Sequence, residues 1–108
     1  MKTVKLLTKE VLNRLPKLYS TEKVPLADKV LVAKFFGGGR GTWYAVEFDG
    51  EDTFFGYVVS PLGPDCDEWG NFNLSELQSV RFPPFGLPME RDMYFKPKTF
   101  KEEFPDQG

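Results

Sequence analysis

The chain has 108 residues, with 14 Lys and Arg against 16 Asp and Glu, no histidine and a single cysteine, Cys66. Such a length fits one domain with one modest core, burying roughly 60–70% of its extended surface. The missing histidine excludes the usual zinc and copper sites and any serine–histidine–carboxylate triad, and the lone cysteine excludes an intrachain disulfide.

Eleven Phe, four Tyr and two Trp take the place of cross-links, because aromatic rings bury much area with few rotatable bonds. Cys66 reads as a loop thiol, with no histidine to activate it. Charge is uneven: residues 1–40 carry nine Lys/Arg and three acids, whereas residues 47–76 carry eight acids and no base.

In chain order, "MKTVKLLTKEVLN" has neither a long apolar core nor a cleavage site of small residues. No apolar run approaches the about 18 residues of a membrane span. The expectation is a cytoplasmic protein without membrane contact. A short helix follows, with Thr8 as N-cap, Lys9 first in the helix, Leu7 stapled on Leu12, and an apolar face of Leu12 and Leu15 with Val11 alongside. Pro16 ends it, and "STEKVPLADK" is a loop.

Three runs of seven, "VLVAKFF", "TWYAVEF" and "TFFGYVV", separated by "GGGRG" and "DGED", predict an antiparallel meander. Strict alternation sends Tyr44, Val46 and Phe48 to one face and Trp43, Ala45 and Glu47 to the other. In the third run Phe54, Gly56 and Val58 oppose Phe55, Tyr57 and Val59. Both faces are apolar enough to need cover, and the N-terminal helix is the nearest element to supply it.

Residues 60–73 read as a loop. Asn73 caps a helix from Leu74 with Glu76 at its third position, and Leu77 and Val80 give its apolar side. "PPFGLP" reads as irregular, and "RDMYFK" as a short last strand in which Met93 and Phe95 alternate with Tyr94 and Lys96. Beyond Pro97, Phe100 and Phe104 stand four apart in a polar tail that docks as a frayed turn or stays free. The expected fold is α+β: a small antiparallel sheet, made of a three-strand meander and a short C-terminal strand, packed with one or two short helices. Residues 1–108 form a single domain with an ordered core over about 6–97.

"GGGRG" resembles a phosphate loop only superficially. A Walker-type loop enters a helix, whereas Thr42 opens a β-like run. The glycines serve a hairpin reversal. The acid clusters 49–52 and 65–68 are too short for a calcium loop, and no metal or cofactor is implied. Glu47 interrupts an apolar run and Lys34 does so on the preceding strand, so the expectation is a cross-strand or diagonal ion pair between them, or separate groups whose stems lie along the sheet with their heads in water. Arg91 is expected to be clamped by Glu47 or Glu90. Lys34, Glu47, Glu90, Arg91 and Asp92 thus form a candidate polar network. Arg40, Trp43, Tyr44 and Trp69 form a candidate interaction surface, since Trp, Tyr and Arg favour interface centres.

"LLTKEVLNRLPKLYSTE", "VAKFF", "TWYAVEFD", "FFGYV", "LSEL" and "FGLPMERDMYFKP" resemble the successive blocks of a bacterial family catalogued as domain of unknown function 2958, over roughly residues 6–97. The resemblance implies a small cytoplasmic protein met on plasmids and other mobile elements, sometimes beside DNA-processing proteins, with no biochemical activity to carry over. Family members tend to have a proline-containing loop where this chain has "GGGRG", which favours Arg91 over Arg40 as a shared functional residue.

The leading reading is therefore a small non-catalytic accessory or modulator that binds a protein partner. The alternative is a nucleic-acid-associated protein using the basic N-terminal third, namely Lys2, Lys5, Lys9, Arg14, Lys17 and Arg40. An enzyme built on Glu47, Glu90 and Asp92 comes third. No oligomeric state is implied, because strand edges that could pair two copies are as readily blunted by Lys or Pro.

Overall fold

A computed structural model describes residues 6–37, 41–60, 66–83 and 85–106. Thr8 caps α1 (Lys9–Arg14), its Oγ1 accepting from the Val11 amide at 3.3 Å, and the helix stops at Leu15 before Pro16. The inward stripe is Val11 with Leu15 one turn on. Leu12, expected on the apolar face, is 41% exposed and outside the stripe: a six-residue helix has one narrow stripe, and the i, i+4 pair takes it.

A single 3-10 turn, Leu26–Asp28, precedes the strands. The first apolar run splits at Val32. β1 (Val30–Leu31) and β2 (Ala33–Phe36) are followed by β3 (Thr42–Phe48) and β4 (Thr53–Val59). β2, β3 and β4 form the expected antiparallel meander, with Phe36 opposite Thr42. Gly38, Gly39 and Arg40 lie outside the described residues.

Three segments differ from the sequence reading. Within the expected loop 60–73, Glu68–Asn73 is a strand, β5, paired along β4. Glycine and asparagine disfavour strands, but strand preference depends on context, and the apolar partner β4 supplies it. α2 (Leu74–Ser79) follows as expected, with the Asn73 amide donating to Glu76 Oε1 at 3.2 Å and Leu77 buried. The "PPFGLP" segment is not wholly irregular either: its last two residues are β7 (Leu87–Pro88), paired antiparallel with β6 (Arg81–Phe82) just before it. Pro88 is tolerated because a two-strand ribbon asks little of its amide.

In "RDMYFK" the strand is shorter and earlier than expected. β8 (Glu90–Arg91) pairs with β2, after which Asp92 turns the chain, its Oδ1 accepting the Tyr94 amide at 2.9 Å. The main sheet runs β5-β4-β3-β2-β8. β9 (Lys98–Thr99) pairs with β1, and α3 (Phe100–Glu103) closes the described chain.

A β-bulge between Ala45 and Glu47 sets the faces of β3. An extra residue in one strand reverses the alternation beyond it. Phe48 therefore joins Ala45, Phe35, Phe54 and Phe72 in one core, under Val11 of α1 and Leu77 of α2. Tyr44, Val46 and Tyr57 form the other core with Leu31 and Phe100. Glu47 takes the place that strict alternation gave to Phe48, on the face away from α1. The cover of this second face comes from α3, with Phe95 and Phe104, rather than from the N-terminal helix.

Candidate functional site

Three places gather polar or exposed side chains. At the bulge, Glu47 is 2% exposed. Its Oε1 accepts the Tyr19 amide at 2.7 Å, and its Oε2 accepts the Thr21 amide at 3.1 Å together with the Thr21 hydroxyl. Lys29, 5% exposed, donates to the Thr21 carbonyl and to Thr21 Oγ1 at 3.0 Å. The threonine hydroxyl thus accepts from a buried ammonium and donates to a buried carboxylate, so both charges are solvated by protein. These bonds fasten residues 16–29, a strap that also begins on β3 through the Phe48 amide and the Pro16 carbonyl at 3.0 Å. Tyr19 has φ +68, a left-handed conformation unusual for a residue with a side chain. Its amide is one of those held by Glu47.

The expected pair of Lys34 with Glu47 is absent, and the reason is register. Lys34 stands opposite Tyr44, with its Nζ 5.7 Å from that ring and 4.0 Å from Asp92 Oδ2, while Glu47 stands opposite Phe55 on the far strand. The structure therefore brings together Lys34 and Asp92 of the proposed network and sends Glu47 to the strap. Arg91 lies opposite Phe35, and Glu90, exposed, opposite Phe36. Of the three carboxylates of the enzyme reading, Glu90 and Asp92 are neighbours at β8, and Glu47 stands apart, buried and bonded to the strap. Glu47 lines a pocket under the strap, Asp92 lines clefts at the β8 edge, and Glu90 lines neither.

Of the Arg40, Trp43, Tyr44 and Trp69 set, Arg40 lies outside the described residues, and the three rings are divided between the two cores. Trp43 packs against the first core. Tyr44 is buried in the second, where its hydroxyl donates to Glu103 Oε2 at 2.8 Å. Burial holds the Tyr44 phenol above its ordinary pKa, reinforced by the hydrogen bond to Glu103 and by that residue's charge. Trp69, on β5, is half-buried, its ring 5.7 Å from Phe55 and 4.9 Å from Phe100.

The acid clusters are occupied by local structure. Asp49 Oδ1 accepts the amides of Glu51, Asp52 and Thr53, which lowers its pKa. Asp52 takes the Ser75 amide and hydroxyl at the start of α2, and Asp67 the Ser60 amide. Asp65 lies outside the described residues.

The β8 edge is the third place, and residue types alone pointed to only part of it. Phe36, Phe85, Leu87, Met93 and Tyr94 are all exposed, Phe85 by 82% and Tyr94 by 88%. Phe85 and Leu87 belong to the β6–β7 hairpin that precedes β8 in the chain, while Phe36 stands opposite Glu90 and Met93 and Tyr94 line clefts at this edge. Two clefts of about 330 and 350 Å3 meet there, sharing Asp92 and Phe95. Six cations line them: Lys9, Arg14, Lys34, Arg91, Lys96 and Lys98. Three carboxylates, of Glu10, Asp92 and Glu103, line them too. In a chain of net charge −2, this region is a local island of net positive charge. The signal in the sequence is Lys96 and Lys98 just after Tyr94, with Lys9 and Arg14 from α1; folding onto one edge is what joins them.

Among the described residues no helix is long and apolar enough to cross a membrane, and no group of three or more Cys, Asp or Glu is placed to hold a metal ion. No curated protein and no solved structure matches the chain. A family model does match, over residues 6–104. The chain accordingly belongs to the family described as protein of unknown function, DUF2958.

Proposed function

We propose that the chain is a non-catalytic binding protein that receives an acidic segment of a partner protein along the β8 edge. The observation that carries the reading is the coincidence of exposed aromatic side chains with a net positive pair of clefts, on a molecule that is otherwise net negative. Aromatic anchors surrounded by complementary charge are the usual composition of a protein-recognition surface. The commitment of Glu47 to Tyr19 and Thr21, apart from Glu90 and Asp92, supports the non-catalytic part. A bacterial, cytoplasmic, mobile-element setting accompanies the proposal through family resemblance alone.

A second reading, single-stranded nucleic acid, is favoured by the same cations with Tyr94 as a stacking ring. Against it, Glu10, Asp92 and Glu103 stand in the clefts, paired with Arg14, Lys34 and Lys98, and interrupt the cationic track that a phosphate backbone follows. Lys2, Lys5 and Arg40 of the basic N-terminal third lie outside the described residues.

Fluorescence anisotropy with labelled poly(Glu,Tyr) and labelled oligothymidylate decides between them. The proposal expects saturable binding of poly(Glu,Tyr), weakened by Tyr94→Ala and by Lys96→Glu. Tighter binding of oligothymidylate, falling steeply between about 50 and 200 mM salt, would move the function to nucleic acid. Binding of neither would defeat both.

A further inference from the structure

Beneath the strap lies a pocket of about 270 Å3 lined by Tyr19, Glu22, Leu26, Lys29, Glu47 and Phe55. It is separate from the β8 edge. The Phe55 ring, backed by Trp69 at 5.7 Å, gives it a flat wall, and Leu26 and Tyr19 stand at its mouth, 48% and 60% exposed. The volume is below the about 300–1,000 Å3 of pockets for drug-sized ligands, which suits a single ring.

We infer that this pocket binds a small, uncharged ring compound that presents a carbonyl or similar acceptor to Lys29. Donor counting supports the acceptor. An ammonium has three N–H groups, and those of Lys29 have two partners, both on Thr21. Among the described residues no carboxylate lies within 4.0 Å of this Nζ. A third donor is therefore left on a side chain that is 5% exposed and lines the pocket. Glu47 already receives three donors, two from backbone amides and one from the Thr21 hydroxyl. The site offers a donor and asks for an acceptor.

Charge supports neutrality. Lys29 and Glu47 balance one another through Thr21, and the Glu22 carboxylate lines the same pocket, which disfavours an anion. A cationic ring is disfavoured because Lys29 Nζ already lies 5.8 Å from the Phe55 centroid, holding the place that a ligand cation would take. Such a ring packs beside Phe55, between Tyr19 and Leu26, and accepts from Lys29, both without unfastening the strap.

Amide-resolved NMR titration with benzamide, phenylacetate and benzylamine tests this, because the three probes share a ring and differ in charge. Benzamide should give saturable shifts at Tyr19, Thr21, Lys29 and Phe55, with the two charged probes at least tenfold weaker. Lys29→Met should weaken benzamide about tenfold, as expected for one hydrogen bond to a charged donor. Since that change also touches the strap, Leu26→Trp is the companion variant: it fills the mouth, leaves Lys29, Thr21 and Glu47 in place, and should abolish the shifts. No saturable shift with benzamide, tighter binding of either charged probe, or full binding by Leu26→Trp overturns the inference.

Discussion

Glu47 Oε2 receives both the amide of Thr21, at 3.1 Å, and its hydroxyl, so a carboxylate on a central strand grips a loop residue 26 positions earlier. The bulge in β3 makes this contact, by turning Glu47 onto the face where the strap lies. Local backbone geometry thus decides which sequence-distant segments meet.

Glu47→Gln keeps the shape but turns an amide donor toward existing donors, and should destabilise by about 1–3 kcal/mol. Thr21→Val strips the hydroxyl between Lys29 and Glu47 and should cost a similar amount. Because the two share one network, the double variant should lose less than the sum. Urea unfolding measures all three; a fully additive pair would show that the groups act independently.

Gly56 stands opposite Ala45 and Gly70 in the middle of the sheet. A Cβ there would lie 1.8 Å from the Tyr44 carbonyl oxygen, and backbone cannot swing aside as a side-chain tip does. Gly56→Ala should cost at least the about 1–3 kcal/mol typical of overpacking. Gly70→Ala, where an added Cβ meets nothing within 4 Å, should change stability by about 0.5 kcal/mol or less. Equal thermal midpoints for the two variants would contradict the packing described.

The second core predicts alkaline sensitivity. The folded-state pKa of Tyr44 is raised by burial, then by Glu103, so the folded form keeps its proton after the unfolded form, near pH 10, has lost it. This contribution is fully present below the unfolded value, declines as pH rises past it, and is gone once pH has passed the folded value. Tyr44→Phe should flatten the loss of stability between about pH 9.5 and 11. An unchanged slope would mean that Tyr44 is not the group responsible.

Phe100, 4% exposed, touches Tyr57 at 4.8 Å and Trp69 at 4.9 Å between ring centroids. Phe100→Ala should destabilise by about 3–5 kcal/mol and move Trp69 emission to the red. A variant as stable as the parent would show that the C-terminal turn only rests on the sheet.

Much of this fold was legible because it is local. Thr8, Pro16 and Asn73 announce the ends of helices, and the meander is written in three apolar runs. β5 was hidden because "EWGNFN" has poor strand propensity of its own and gains its pairing from β4. The site was harder still. Single residues such as Glu47 stood out by breaking a pattern, but its partner depended on a bulge that shifts register by one, an event with no mark in "TWYAVEF". The exposed edge was equally hidden, since Phe85 and Tyr94 look no different in sequence from the phenylalanines that fill the core.

Tyr94 and Phe85 are so exposed that truncation should leave stability within about 0.5 kcal/mol while weakening binding. The most direct measurement of the binding proposal is an amide-resolved NMR map of poly(Glu,Tyr) on the intact chain. Shifts concentrated at 91–96, 85–87 and Lys9, and lost in Tyr94→Ala, are the predicted result. Shifts centred on β5 or the strap, or none at all, would contradict it.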